Sequence, residues 1–316
     1  LQYTVDPEGR ADAAAMLARV GRGEFTPLPD GNSTLGFSDG AHWFHAELFN
    51  TRGNLQRWLL VLHYPLLDHV DVYLRYPDGR IEHFASGDSL PFSARSIRYR
   101  HPNFWVDLPT RTRVELLVRV SSRSSLQVPL ALYTPTAFAE LERDSQLGIG
   151  LFYGILLALF CYNLVLWLSL RDGSHFWYML HVSAFGLVML CLNGLAFEYF
   201  WPNSPWLANH AIPMSMALSQ VAMHQFCRVF LELPERQPRA NVVSLLIIAF
   251  YLLMGVASLF MEYRTVVKPL TLAVFPGALF IVVITIGAIR QGYLPARVFL
   301  AAWGFLLLGT ALYASV

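Results

Sequence analysis

Residues 147–170, LGIGLFYGILLALFCYNLVLWLSL, carry no charge between Asp144 and Arg171. About 20 apolar residues at roughly 1.5 Å rise each cross a hydrocarbon core. A soluble helix of this length would show a polar stripe, and none is present. The stretch is therefore expected to span a membrane. The same texture continues through residues 176–197, 211–227, 242–261, 270–289 and 298–316. Four of these six runs are comfortably long enough, while 211–227 is short and carries polar side chains. Residues 144–316 are thus expected to form an all-α polytopic membrane bundle.

Composition agrees with this division. The chain is 55% hydrophobic and 14% charged, against roughly 25% charged in average globular chains. A net charge of +1 gives no reason to expect a nucleic-acid partner. Cys161, Cys191 and Cys227 all fall in apolar runs, so no disulfide framework supports the first 143 residues. The chain begins at Leu1 without a charged-then-apolar leader. An exported N-terminal part needs one, so a removed signal peptide is expected.

Basic residues near span ends set orientation. With the N-terminal part outside, the inner loops hold Arg171, Arg228, Arg236, Arg239, Arg290 and Arg297. The outer loops hold Arg264 and Lys268, and residues 198–210 hold neither Arg nor Lys. The excess lies inside, which favours a head outside the cell membrane.

Residues 1–143 follow other rules. A short helix is expected over 11–20, then a turn-rich stretch, Thr26-Pro27-Leu28-Pro29-Asp30-Gly31. Strands are expected over 42–50, 57–64, 70–74, 81–85, 104–108, 114–120 and 127–133. The Pro77-Asp78-Gly79 turn closes a hairpin between the third and fourth. Short strands at regular spacing with turn signals indicate an all-β sandwich. Pro135 stops the last strand. Residues 137–143 look helical and continue into the first span, which would make a stiff connection.

Three head segments, WFHAELFN (43–50), VDVYLRYPDG (70–79) and GDSLPFSAR (87–95), carry a family resemblance. In the membrane part it is carried by residues 150–171, Asn193-Gly194 with Phe197, Trp201-Pro202, and Gly292-Tyr293 through Trp303. In this order they resemble the bacterial seven-transmembrane receptors with diverse intracellular signalling modules, 7TMR-DISM, with the larger (type 2) extracellular domain. The resemblance implies a jelly-roll sandwich similar to carbohydrate-binding modules, outside the bacterial inner membrane. It also implies a cytoplasmic effector in cis, most often a diguanylate cyclase making cyclic-di-GMP, otherwise a two-component histidine kinase. Six runs are found where the family has seven. With the head outside, six crossings leave the C-terminus outside, so a further crossing and the output domain are expected beyond Val316.

The intramembrane polar residues are Asn163, His181, Asn193, Gln220, His224 and Gln225. No charge lies deep in a run, no nucleophile motif accompanies the histidines, and His181 and His224 are on different spans. Interhelical hydrogen bonding at roughly 1 kcal/mol each accounts for them. No catalytic residue, metal or cofactor is expected in residues 1–316. Asn193-Gly194 and the loop with Tyr199, Trp201, Trp206 and His210 suit a helix end and an interfacial aromatic belt. Docking of that loop against the head is the functional alternative.

The candidate ligand-binding residues are in the head: Trp43, His45, Arg95, Arg98, Arg100 and Trp105. Pockets are aromatic with few polar groups, but strand alternation puts about half of such aromatics in a core. Arg pairs well with carboxylate or phosphate, yet the same arginines suit a solvated face paired with Asp88 or Asp107. The expected function is a sensory receptor for a carbohydrate or a small anionic molecule, with membrane lipid and a second copy of the chain as further partners. The rivals are a channel or transporter with an accessory β domain, and a membrane-anchored carbohydrate-binding module.

Overall fold

The computed structural model describes residues 1–28, 33–51, 57–302 and 304. It divides into two units. One is Leu1–Leu151 with Met189–Ile212; the other is Phe152–Val188 with Pro213–Val316.

The first unit contains the β head. Its elements are β1 (Gln2–Asp6), α1 (Ala13–Gly21), β2 (Thr26–Pro27), β3 (Thr34–Gly36), β4 (Ala41–Phe49), β5 (Arg57–Leu62), β6 (His69–Arg75) and β7 (Ile81–Ser86). A 3-10 turn, Phe92–Ala94, precedes β8 (Asn103–Asp107), β9 (Arg113–Ser121), β10 (Leu126–Gln127) and β11 (Leu130–Tyr133). One antiparallel sheet runs β2-β1-β4-β9-β6-β7, a second runs β11-β5-β8, and β10 pairs β3. Residues Pro29–Gly31 of the expected turn lie outside the described residues.

Alternation places the core. On β6, Val70, Val72 and Leu74 are buried while their neighbours are less so. The register pairs Val72 with Val118 and Phe44 with Val118 across the large sheet. Leu60 and Leu62 of β5 and Phe104 and Val106 of β8 meet this face in one cluster. Each fully buried Val, Leu or Phe contributes about 1.5–3 kcal/mol. The head is all-β, as expected. β1 and β3 were not expected: β1 has only Tyr3 and Val5 as apolar residues, and pairing with β4 along its whole length defines it.

The back of β5 explains the rest of the head. Residues 59–62 are buried in unbroken succession, the signature of a strand covered on both faces. Leu59 and Val61 pack with Tyr99, Ile97, Trp105, Tyr133 and Phe138. The small sheet is therefore roofed by the segment after the 3-10 turn and by Phe138, which lies on the first long helix.

That helix, α2, runs unbroken from Pro135 to Leu170, 36 residues, or about 54 Å. The helix expected at 137–143 is thus continuous with the first span. Then follow α3 (Gly173–Leu192), α4 (Leu195–Tyr199), α5 (Pro205–Phe230), α6 (Leu233–Arg236), α7 (Pro238–Ala257) and α8 (Tyr263–Arg290). Helices α2, α3, α7 and α8 are long and apolar enough to cross a membrane. At 26 residues α5 is long enough but not so apolar. The run at 176–197 breaks earlier than expected, because α3 ends at Leu192 and Gly194 turns the chain at φ 76°. Of the run at 298–316, residues 303 and 305–316 lie outside the described residues.

In the second unit, Ala217, Val221, Ile248, Tyr251, Val266 and Leu270 form one core, and Cys227, Leu231, Ile281, Ile284 and Ala288 belong to another. His181 Nδ1 lies 3.0 Å from the Ser219 carbonyl, joining α3 to α5. Asn163 Nδ2 donates to the Leu159 carbonyl at 2.9 Å within α2. The first is a helix-packing use of an intramembrane polar group.

Candidate functional site

A chain segment roofing β5 and β8 must be tied down, since it has no ladder of its own. Asn103, fully buried, does this. Its Nδ2 donates to the carbonyls of Ile97 and His101, and its Oδ1 accepts from the Ile97 amide at 2.8 Å. Ser96 Oγ accepts from the Trp105 amide. At the other end, Gly87 adopts φ 140° pressed on the Asp68 backbone, which brings the Asp88 amide to the Leu67 carbonyl at 2.8 Å. Residues 87–101 thereby form a fixed surface feature.

The outer loop between α3 and α5 sits on this feature. The Phe92 amide donates to the Pro202 carbonyl at 2.9 Å. Phe92 and Phe197 meet edge to face at 5.4 Å, with Trp201 and Ala208 beside them. Gly194 passes so close to Pro65 and the Arg100 carbonyl that a Cβ would lie 2.7 Å from each.

The three arginines have three jobs here. Arg95 is buried, its guanidinium 4.3 Å from the Phe92 ring centre and 5.5 Å from that of Phe197. Its Nη1 donates to the Tyr99 carbonyl at 2.8 Å. Burial pulls it down to about 10, against the favourable charges of Asp88 and Glu198. Arg98 reaches the loop: its Nη2 donates to the Glu198 carbonyl at 3.3 Å, its Nε is 3.9 Å from Glu198 Oε1, and it overlies Tyr199 at 5.3 Å. Glu198 is buried, which raises its pKa despite Arg98 and Arg95. Arg100 instead turns to α2, donating to Ser145 Oγ at 2.7 Å.

A second polar contact closes the joint. Asp68 accepts from the Arg123 amide, Nε and Nη2, and from Ser89 and Ser122 hydroxyls. Arg123 Nη2 then donates to Asn209 Oδ1 at 3.3 Å. Near the start of α2, Phe138 packs against Tyr99 at 5.0 Å and Tyr133 at 6.0 Å. His63 Nε2 is 2.8 Å from the Tyr133 hydroxyl, and His101 lies edge-on to His63. Burial first, then Arg100 and His63, push His101 down to about 3.

The expected site residues do not converge. Arg95, Arg98 and Arg100 share this joint, and half-buried Trp105 on β8 carries Arg57 over its ring at 5.0 Å. Trp43 and His45 lie on the large sheet instead. Trp43 is 0% exposed, packed under Met16 and Leu17 of α1 and stacked on Tyr73 at 5.9 Å. His45 is 8% exposed, edge-on to Phe25, and burial lowers its pKa. Trp43 thus lies under α1, and His45 lies against Phe25, which follows α1. Phe92, Phe197, Glu198 and Asn209 were not singled out as site residues. For Phe197 and Glu198 the signal was an aromatic and an acid at the outer end of an apolar run.

Residues 145–316 match the family described as 7TM diverse intracellular signalling, and residues 1–134 match 7TMR-DISM extracellular 2. The chain belongs to the 7TMR-DISM family. This 7TMR-DISM chain is a multi-pass membrane protein with an N-terminal extracellular domain, and its class is transmembrane sensing. No curated protein matches it. A solved structure named as a beta-galactosidase from Bacteroides fragilis is similar at 14% identity and TM-score 0.27. That match covers 42% of the 7TMR-DISM chain and 21% of the other, and it carries no argument.

Proposed function

We propose that the head senses an extracellular stimulus and passes it through the head–loop joint to the helices, which bias a cytoplasmic effector. The observation that carries this is Arg95, held between Phe92 of the head and Phe197 of the loop. The loop is continuous with α3 and α5, so a change in docking acts on the ends of two helices. In the layout that goes with this reading, spans lie near 147–170, 176–192, 211–227, 242–261, 270–289 and 298–316. A carbohydrate or small anion would meet the head beside Trp105, Arg98 and Arg100. The effector class is a diguanylate cyclase or a histidine kinase. A ligand transmits only if it binds two states of the joint differently.

The test uses the full-length receptor with its effector. Deleting residues 1–134, and separately Phe197→Ala, are expected to shift effector output in the same direction. Output unchanged by both would remove the head and its joint from the signalling path.

A further inference from the structure

Asp88 stands at the centre of the joint. It is 6% exposed, and its Oδ1 meets no protein donor. Asn209, near the start of α5, is the polar side chain that favours its ionised form. The charged and titratable groups around it come from every neighbouring segment. Asp68 lies before β6, Tyr64 after β5, Arg123 after β9 and Arg95 after the 3-10 turn, while Glu198 of α4 faces Arg95. Of the two cations, Arg123 is bound by Asp68 through both Nε and Nη2. Arg95 has Nε and Nη2 buried with no protein acceptor, so it forms no direct pair with Asp88.

A buried carboxyl with one unpartnered oxygen and a second carboxylate nearby is far less costly neutral than ionised. Asn209, Arg95 and Arg123 pull the other way. The balance is close, and Asn209, near the start of α5, ties Asp88 to the segment that follows the loop.

We propose that the proton is itself a stimulus for this receptor, taken up by Asp88, and that its uptake tightens the docking of residues 195–209 on the head. The stimulus role rests on the joint being the transmitting element.

The sign follows from linkage. Burial, then the Asp68 charge, raise docked Asp88 from 3.8 to about 7. With the loop released, the carboxyl returns to water and its ordinary range. Docking therefore takes up a proton between those values. It is tightest below about pH 4, weakens as pH rises to about 7, and changes little above that. The full span is at most about a thousandfold in the docking equilibrium.

The experiment is hydrogen exchange on the full chain in lipid nanodiscs between pH 5 and pH 8, corrected for intrinsic exchange rates. Protection of residues 195–209 is expected to fall at least about tenfold across this range. In Asp88→Asn it should be high and flat. In Asn209→Ala, which removes a donor favouring the ionised form, the midpoint should move up. Flat protection in the native chain, or pH dependence surviving in Asp88→Asn, overturns the proposal. If Asp88→Asn does not fold, an unmoved midpoint in Asn209→Ala overturns it. Effector output separates the two readings. Flat protection with output still altered by Phe197→Ala removes the proton and keeps the joint. Protection that follows Asp88 with output indifferent to Phe197→Ala removes the joint as transmitter, and with it the proton's role as a stimulus.

Discussion

Gly87 is the residue on which the joint's shape turns. A Cβ there would lie 2.1 Å from the Asp68 carbonyl oxygen, at a φ of 140° that side chains rarely adopt. Backbone must move to admit it. Gly87→Ala is expected to destabilise the head by about 3 kcal/mol or more, read as a lowered urea midpoint. Gly79→Ala is the control: its φ is also positive, at 87°, but nothing lies within 4 Å. Its cost should stay near 1 kcal/mol, roughly that of a left-handed residue. Equal losses would show that conformation, not the Asp68 contact, sets the cost at Gly87. His101 makes a second residue-scale prediction. Its folded value of about 3 lies below the ordinary 6.5, so the unfolded chain binds a proton that the folded chain does not. Head stability should fall as pH drops from about 6.5 towards 3, opposite in sign to Asp88. His101→Phe keeps a ring against His63 and Tyr99 and should flatten that fall; an unchanged slope between pH 7 and pH 5 would assign it elsewhere.

At the scale of elements, the start of α2 depends on a contact its own sequence does not supply. Residues 135–146 contain Glu140, Glu142, Arg143 and Asp144 and are largely exposed. Phe138 is the side chain that anchors them to Tyr99 and Tyr133. Phe138→Ala should cost about 2 kcal/mol of local stability, seen as faster exchange of amides 138–145 with the β9 amides unaffected. The same contrast explains what the sequence made legible. β6 was readable because Val70, Val72 and Leu74 alternate, and β5 because a continuous apolar run demands cover on both faces. What covers β5 was not readable. Residues 87–101 have no periodicity, and their partners lie about a hundred positions away; Arg98 bonds Glu198. The arginines were visible as a cluster, but whether they face solvent, ligand or chain depends on that distant loop. Trp43 shows the same limit: an aromatic on an alternating strand does not announce which face a helix will cover.

For the whole molecule, the undecided element is α5, since the inward or outward place of everything after it depends on whether it crosses. Its mean apolarity is lowered by Ser215, Ser219, Gln220, His224 and Gln225. Yet Ser215, Ser219 and His224 are buried within the second unit, while Met214 and Leu218 are exposed on the other side. Polar side chains turned to the bundle interior and apolar ones turned out are how membrane helices carry polar groups. An average over the helix misses that sidedness. Arg228 at its C-terminal end, with Arg236 and Arg239 following, fits an inner face. Crossing therefore predicts opposite exposure for Asn203, before α5, and Glu235, after it; both are exposed positions. Cys161 is exposed and would be replaced by Ser, while Cys191 and Cys227 are buried. In intact cells opened only at the outer surface, a membrane-impermeant maleimide should label Asn203→Cys at once. It should label Glu235→Cys only after the inner membrane is permeabilised. Labelling of both in intact cells would mean that α5 lies on the outer side, that the inner loops are reversed from there on, and that any output domain must be reached by another route.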